Sequence, residues 1–555
     1  MRIDVESLIG RRAVNRWERV SIGDLFERVR WSTPDKEAIV ARQGAFANPE
    51  RERITYAQAD DLATRVATAL LARGLRRGDR VLMFCDNSVE AYVAKIGIAK
   101  AGLVCAPLNA MVAPDVIAYL IDRIEPRLAI VDAELWPKAQ AAFAQTGLRA
   151  DVTIEIGGGV IDGGVSFEAF VAEGSTDEPD VEIHGDDIWE LICTSGTTAM
   201  PKAVMLSHNY SHLAGYNFAL TLTRGLRIED ELRLCAFLPL VFHVADQIFS
   251  FPAFLTGGTL IMGRRPDAGA IAQAVSDERA TALWAGSPAM LQQLASALEA
   301  NPSLDASSLT IAIFGWAALP PSTLAALKQR IGEQFQVCEI LGQTESISCH
   351  RFWPDRWSAL YERVAPEQNY VGVTNPLLAS RIVDADGEPL PPEPGLLGEV
   401  VYRSPVTTAG YYRDEEATRT AFRSGWFHSG DSCALGEDGL RVMLDRVKDI
   451  VKSGGENVSS LRVEAVLHQH PDVEKAAVVG LAHEKWGEAV TAFVIPADGA
   501  ALDADAVSAF CRERLAGFES PKRVVVVAEL PVTVGGKVLK HKLRAEHAGL
   551  YDGEA

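Results

Sequence analysis

The chain has 555 residues and a formal net charge of −20, from 54 Lys+Arg against 74 Asp+Glu. That acidic surplus speaks against non-specific nucleic-acid binding and against attraction to anionic membranes, but a few cations and backbone N–H groups can still hold a phosphate locally. With 48% hydrophobic and 23% charged residues, and a length worth roughly three to four compact units, the chain needs neither disulfide nor metal to fold.

The eight cysteines (Cys85, Cys105, Cys193, Cys235, Cys338, Cys349, Cys433, Cys511) are scattered without a CxxC pair. This predicts reduced thiols and a cytoplasmic protein. The first twenty residues lack the apolar run of a secretory signal. The stretch Ile248–Met262, broken by Pro252 and Gly257-Gly258, is too short to span a bilayer.

In chain order, Ala57–Arg73 predicts an amphipathic helix with Leu62, Val66, Leu70 and Leu71 on one face. A strand over 80–85, a helix over Val89–Ala101 and a strand over Leu103–Pro107 follow. The same alternation returns at Ala280–Trp284, Pro288–Leu298 and Leu309–Phe314, so the fold class is α/β with parallel-rich sheets. Turn signals at Asp384–Gly387 and Gly436–Gly439, with the Pro-rich Leu390–Gly395, predict a β subdomain over roughly 370–444 within a large domain 1–444. From Asp445 a helix Leu461–His468, strands Ala476–Val479 and Val490–Ile495, a helix Ala504–Leu515 and a strand Arg523–Val527 predict a small α+β domain, 445–555. Residues 547–555 read as a frayed tail.

The sharpest chemical signal is Thr194-Ser195-Gly196-Thr197-Thr198-Ala199-Met200-Pro201-Lys202 at the end of an apolar strand. Small residues admit backbone N–H groups to a ligand, hydroxyls donate and Lys202 adds charge, as polyphosphate binding requires. The spacing is not GxxxxGK[ST]. Taken alone, the segment is equally well a polar turn, because Ser/Thr-rich turns are common.

This segment resembles the phosphate-binding signature of the AMP-forming adenylating superfamily, which comprises acyl-CoA synthetases, nonribosomal-peptide adenylation domains and firefly-type luciferases. Further stretches resemble the family's other motifs in its order: Leu238–His243, Gly315-Trp316-Ala317-Ala318, Leu341-Gly342-Gln343-Thr344-Glu345, Trp426–Asp431, Asp445–Asn457 and Pro531–Val538. The small domain's Gly480–Val494 is most similar to acyl-CoA synthetases. The resemblance implies an ATP-dependent carboxylic acid–CoA ligase that forms an acyl-adenylate and pyrophosphate, then the thioester, with ATP, Mg2+ and CoA as its small-molecule partners. It also implies roles for individual residues. Thr194, Ser195, Gly196, Thr197, Thr198 and Lys202 would hold the β- and γ-phosphates. Thr344 would meet the α-phosphate, and Glu345 would bind the metal. Gly315, Trp316, Ala317, Glu339 and Leu341 would flank adenine, while Asp431, braced by Arg446, would accept the ribose hydroxyls. His243 would sit beside the substrate carboxylate, and Lys537 would bridge that carboxylate and the α-phosphate. Lys448 would be the hinge, with Lys452, Gly454 and Gly455 facing CoA.

The sequence departs from the family pattern at Ala199 and Ala203, where glycine is usual, and at Leu341, where an adenine-stacking tyrosine is usual. Amino-acid-activating relatives carry an aspartate beside the aromatic of the Phe242-His243 pair. Here none occurs before Asp246, which disfavours an α-amino acid. The segments Phe237–Phe254, Gly286–Met290, Phe314–Leu319 and Glu339–Ser348 are rich in Phe, Trp, Leu and Ala, so an apolar acyl or aryl acid is expected. Transfer to a carrier-protein phosphopantetheine in trans is the alternative to CoA. A non-catalytic nucleotide binder and a luciferase-like oxidase are weaker readings. The identity of the acid and a homo-oligomeric state stay open.

Overall fold

The computed structural model describes residues 18–194, 200–223, 228–366, 368–454, 456–532 and 538–552, apart from the side chains at 229, 348 and 349. The described residues build three sheets.

The first sheet grows from βαβ units. Helix α1 (Tyr56–Ala72) starts at a capping box in which Thr55 and Gln58 satisfy each other's backbone N–H. Strand β1 (Arg80–Phe84) leads through helix α2 (Val89–Lys100) to strand β2 (Val104–Pro107), which pairs with β1 in parallel. All twelve residues of α2 are buried, so its Lys95 and Lys100 must find partners inside. Strand β3 (Ile188–Thr194) joins β2 and turns back as strand β4 (Lys202–Ser207), in the register Thr194↔Lys202. Helix α3 (His208–Leu222) follows at once, because the Ser207 side chain accepts from Tyr210 N–H.

The second sheet has thirteen strands. Its centre is parallel and includes β5 (Ala282–Gly286), β6 (Ile311–Gly315) and β7 (Gln336–Gln343), each buried on both faces at its start. A tight turn at Thr344-Glu345 reverses the chain into β8 (Ser346–Phe352), and β9 (Asn369–Thr374) pairs with β8. Beyond β9 the sheet is antiparallel through strands β10 (Phe427–Leu435) and β11 (Arg441–Arg446). The strands of the 370–444 region thus continue this sheet.

The third sheet belongs to the C-terminal region. Short strands Val451–Ser453 and Glu456–Val458 precede helix α4 (Ser460–Leu467), the long hairpin of β12 (Val473–His483) and β13 (Gly487–Pro496), helix α5 (Ala504–Arg512), strand β14 (Arg523–Val526) and helix α6 (Lys540–Glu546). Element types follow the sequence expectations; α5 ends three residues earlier than expected. The frayed-tail expectation is corrected for residues 547–552. Tyr551 is buried, shares a hydrogen bond with Thr491 Oγ1 at 2.9 Å and lies 5.1 Å from the His483 ring. A single aromatic anchor filling a gap between strands leaves no periodicity to read. The stretch Ile248–Met262 forms a six-residue helix and part of a strand, and among the described residues no helix is long and apolar enough to cross a membrane.

Candidate active site

The β3–β4 hairpin brings Thr194 and Lys202 together, with Thr194 Oγ1 3.4 Å from the Lys202 carbonyl. Ser195, Gly196, Thr197, Thr198 and Ala199 lie outside the described residues. Ala203 is a buried residue of β4 paired with Cys193, so its methyl group meets no backbone demand for positive φ. Residues 408–412 dock along β4: Met205 N–H donates to Gly410 O at 2.9 Å, and Tyr412 N–H to Ala203 O at 2.8 Å. That segment delivers Tyr411, whose hydroxyl donates to Glu345 Oε1 at 2.8 Å and whose ring lies 4.7 Å from Lys202 Nζ. Burial, followed by the neighbouring Glu345 charge, holds the Tyr411 hydroxyl far above its ordinary pKa, so it is a donor at any physiological pH.

The Thr344-Glu345 turn is held from two more sides. Tyr210 Oη donates to Thr344 O at 2.9 Å from α3, and Thr408 N–H donates to Glu345 O at 2.7 Å. Tyr411, Tyr210 and Thr408 were not legible as site residues. Tyr411 stands 66 positions from Glu345, and no local spacing connects them.

At the strand ends, Gly315 pairs with Ile340, and a Cβ there would come within 2.7 Å of the Ile340 carbonyl oxygen. Trp316 follows at φ +73 with half of its surface exposed. Its ring meets Trp284 edge-on at 6.2 Å, and Trp284 stacks on Phe249 at 4.2 Å. This aromatic wall stands beside the exposed Ala317. Glu339 is buried on β7, and burial pushes its carboxyl well above the carboxylate range. Leu341 packs against the buried cluster of the antiparallel strands, which includes Val371 and Tyr402.

Asp431 and Arg446 are register partners on β10 and β11, and the Arg446 guanidinium donates to Asp431 Oδ1. Gly430, at φ +73, lets the backbone turn so that its N–H reaches Glu399 Oε1 at 2.9 Å, while Ser429 Oγ accepts from Asp431 N–H at 3.0 Å. Burial lowers the Arg446 guanidinium, but Asp431 and then Glu345 raise it above its ordinary value. The two carboxylates thus share one electrostatic neighbourhood.

His243 is half-buried, and its Nδ1 accepts from Ala245 N–H at 3.1 Å, leaving Nε2 to carry the ring proton. Burial, helped by the Lys95 charge, lowers its pKa to about 4. Asp246 is fully buried. It pairs with Lys95, whose Nζ also lies 2.6 Å from Glu190 Oε1, and Gln247 Nε2 bridges the two carboxylates at 2.8 and 2.9 Å. All four side chains are fully buried. Breaking such a set by removing one partner costs about 3–5 kcal/mol. The network fastens the His243 loop to β3, which ends in Thr194, and it keeps Asp246 from pairing with a substrate ammonium.

At the C-terminal end of β11, Lys448 is exposed, and its carbonyl lies 3.5 Å from Arg544 Nη2. Asp445 Oδ2 accepts from Ser460 N–H at 2.8 Å and from its hydroxyl; Lys540 reaches the same hydroxyl and sits 2.8 Å from Glu464. Lys452 is exposed, with its N–H on Glu488 Oε2 at 2.7 Å. Gly454, at φ +62, hydrogen-bonds Trp486 O at 2.8 Å. Gly455 and Lys537 lie outside the described residues. Lys202, Thr194, Thr344, Glu345, Asp431 and Arg446 therefore gather around one region, while Lys448, Lys452 and Gly454 lie at the junction with the C-terminal sheet.

Comparison with known proteins agrees with this geometry. Residues 26–412 match the family described as AMP-binding enzyme, and residues 462–537 match the AMP-binding enzyme C-terminal domain. The chain is 33% identical over 522 residues to a feruloyl-CoA synthase of an Amycolatopsis species, covering 93% of this chain and 97% of that one. It is 32% identical over 524 residues to a long-chain-fatty-acid–CoA ligase of Mycobacterium tuberculosis, covering 94% and 99%. Among solved structures, an anthranilate CoA ligase in complex with anthranoyl-AMP superposes with a TM-score of 0.82 at 26% identity, covering 96% of this chain and 97% of that one.

Proposed function

Because the chain belongs to the AMP-binding enzyme family and is an enzyme of the AMP-forming acid–thiol ligase class, we propose that it joins an apolar acyl or aryl carboxylic acid to CoA. In the first step a carboxylate oxygen bonds to the α-phosphorus of ATP as the bond to the bridging oxygen breaks and pyrophosphate leaves. In the second, the CoA sulfur bonds to the acyl carbon and AMP leaves. The first step brings two anions together, so fixed donors and cations must offset their repulsion.

On this reading Lys202 and the Thr194–Thr198 loop hold the β- and γ-phosphates, and Thr344 meets the α-phosphate. Asp431, oriented by Arg446, accepts the ribose hydroxyls. His243 donates Nε2–H to the substrate carboxylate, and Lys537 bridges carboxylate and α-phosphate. Among the described residues no group of three or more Asp, Glu, His or Cys side chains is gathered to cage a metal. That fits a magnesium ion held chiefly by polyphosphate oxygens, with Glu345 as its protein ligand. Bound there, magnesium would neutralise charge on the phosphates. Residues 1–444 and 445–555 would be the two domains. Rotation near Lys448 would withdraw Lys537 and bring Lys452, Gly454 and Gly455 toward CoA.

The observation that carries this reading is the Lys202–Tyr411–Glu345 cluster beside the Asp431–Arg446 pair, which sets two cations, a neutral donor and two carboxylates in one electrostatic neighbourhood. The Phe249–Trp284–Trp316 wall, and relatives named for ferulate and anthranilate, favour an acid with an aryl or extended apolar body. Purified protein given ATP, magnesium and an acid panel should release pyrophosphate with the matching acid alone, and AMP on adding CoA. Thioester formed only on a holo-carrier protein would move the acceptor from CoA to a carrier. Absence of acid-dependent pyrophosphate exchange across the panel would refute the reading.

A further inference from the structure

A cavity of about 450 Å³ lies between the C-terminal half of α3, β8 and the segment after β8, with Asn217, Thr221, Gln336, Arg351, Asp355 and Arg356 among the residues of its walls. Shared elements connect it to the candidate active site. Arg351 is the register partner of Ile340, and Ile340 of Gly315. Asn217 is seven residues beyond Tyr210 on α3, about 10 Å along the helix, and Tyr210 holds the Thr344 carbonyl.

The polar groups in this cavity are incomplete. Asn217 is only 5% exposed, and neither its Nδ2 nor its Oδ1 finds a hydrogen-bond partner among the described residues. Arg351 Nη1 donates to Thr221 Oγ1 at 2.6 Å, but its buried Nε has no acceptor, and no carboxylate among the described residues pairs with it. Asp355, in the same wall, accepts from Gln336 Nε2 at 2.8 Å. A partly buried guanidinium without a counter-ion, beside a buried amide without a partner, is a poor structural element and a good half of a binding site.

We propose that this cavity binds a carboxylate, with Arg351 supplying the charge and Asn217 an amide donor. The planar guanidinium fork matches a carboxylate, and with the exposed Arg356 and Asp355 of the same wall opposite in sign, the lining's net single positive charge suits one negative charge better than a phosphate's two. The carboxylate has two sources. It is either the far end of a dicarboxylic acid being activated, which rests on the ligase reading, or a free small carboxylate, which does not.

The test uses the full chain, with Arg351→Gln and Asn217→Leu as variants and glutarate as the free probe. Calorimetry should show glutarate binding that each variant weakens about tenfold or more, with partial recovery in Arg351→Lys. Asn217→Leu should also raise the melting temperature, since it removes an orphaned amide at nearly constant volume; it decides the matter if Arg351→Gln fails to fold. AMP release with dicarboxylic and monocarboxylic acids of matched length separates the sources. A preference for the dicarboxylic acid that Arg351→Gln abolishes through KM identifies the substrate's far end; glutarate binding without such a preference identifies a free ligand. No glutarate binding together with no dicarboxylic preference, or binding unchanged in Asn217→Leu and Arg351→Gln, overturns the proposal. If no acid supports AMP release, the ligase reading fails while calorimetry still decides the cavity.

Discussion

The Tyr411 hydroxyl donates to Glu345 Oε1 at 2.8 Å while the Lys202 ammonium sits over the Tyr411 ring at 4.7 Å. One tyrosine thereby fixes the separation between the cation proposed to hold phosphates and the carboxylate proposed to hold magnesium. It fills that space with a group that stays neutral, because burial and Glu345 both raise its pKa. Tyr411→Phe keeps the ring under Lys202 and removes only the donor. A hydrogen bond to a charged acceptor is worth about 1.5–3 kcal/mol, so kcat/KM for ATP in pyrophosphate exchange should fall at least about tenfold. Tyr411→Leu should fall further, having lost the cation–π contact as well. An unchanged kcat/KM in Tyr411→Phe would remove this tyrosine from the site.

Trp316 holds φ +73, a backbone region that bulky L-residues avoid. Holding it there costs about 1–3 kcal/mol, which the surrounding contacts must offset. Those contacts are few, since the ring is half-exposed and touches Trp284 edge-on at 6.2 Å. Trp316→Gly should therefore leave stability unchanged or raise it, while raising KM for the acid or for ATP. Chemical denaturation alongside steady-state kinetics checks both halves. A marked loss of stability with intact KM values would make Trp316 a core residue.

The βαβ rhythm from Tyr56 to Pro107 and from Ala282 to Gly315 was legible because each element carries its own apolar pattern within a short window. The pairing of Asp431 with Arg446 was legible only through resemblance, since register across 15 residues and a hairpin leaves no periodic trace. Tyr411 was invisible for the same reason on a larger scale: its partners lie far apart in sequence, Lys202 on β4 of the first sheet and Glu345 in the turn between β7 and β8 of the second. Asp246 was noticed as the first carboxylate after His243, but its neutralisation by Lys95, 151 residues away, depends on a helix buried on every side. Tyr551 shows how one anchor can reverse a reading of disorder that composition alone supports.

His243 supplies a pH test with a definite sign. Its folded pKa, lowered to about 4 chiefly by burial, lies below the ordinary imidazole value near ~6.5. Between those values the unfolded chain binds a proton that the folded chain refuses, so the stability contributed is complete above ~6.5 and is lost as pH falls toward 4. Other buried acids and histidines titrate in the same range, and comparison with His243→Gln cancels them. The stability difference between wild type and His243→Gln should be flat above pH ~7 and shift in favour of the glutamine variant below ~6.5. Urea unfolding of both proteins across that range measures it. A difference independent of pH would mean that His243 is protonated as easily when folded as when unfolded.

Across the junction at Lys448, Ser460 is bound through both its N–H and its hydroxyl to Asp445, and that hydroxyl also meets Lys540, which is paired with Glu464. Although it falls just past the proposed domain boundary, Asp445 lies on β11 of the second sheet, before Lys448, and Ser460 follows Lys448, so a rotation about Lys448 must part them. Arg544 and Asp449 both follow Lys448, and their 2.8 Å pair can travel with the small domain. The Asp445–Ser460 contact is then a latch on one of the two orientations the proposed mechanism needs. Ser460→Ala removes the hydroxyl arm, and a charge-assisted bond of about 1.5–3 kcal/mol is enough to shift such a balance about tenfold. The rates of acyl-adenylate formation and of thioester formation from supplied acyl-adenylate should therefore move in opposite directions. Lys448→Pro, which fixes φ at the pivot, should retain adenylation and lose transfer to CoA. Equal losses in both half-reactions, in either variant, would show that the junction serves only to hold the domains together.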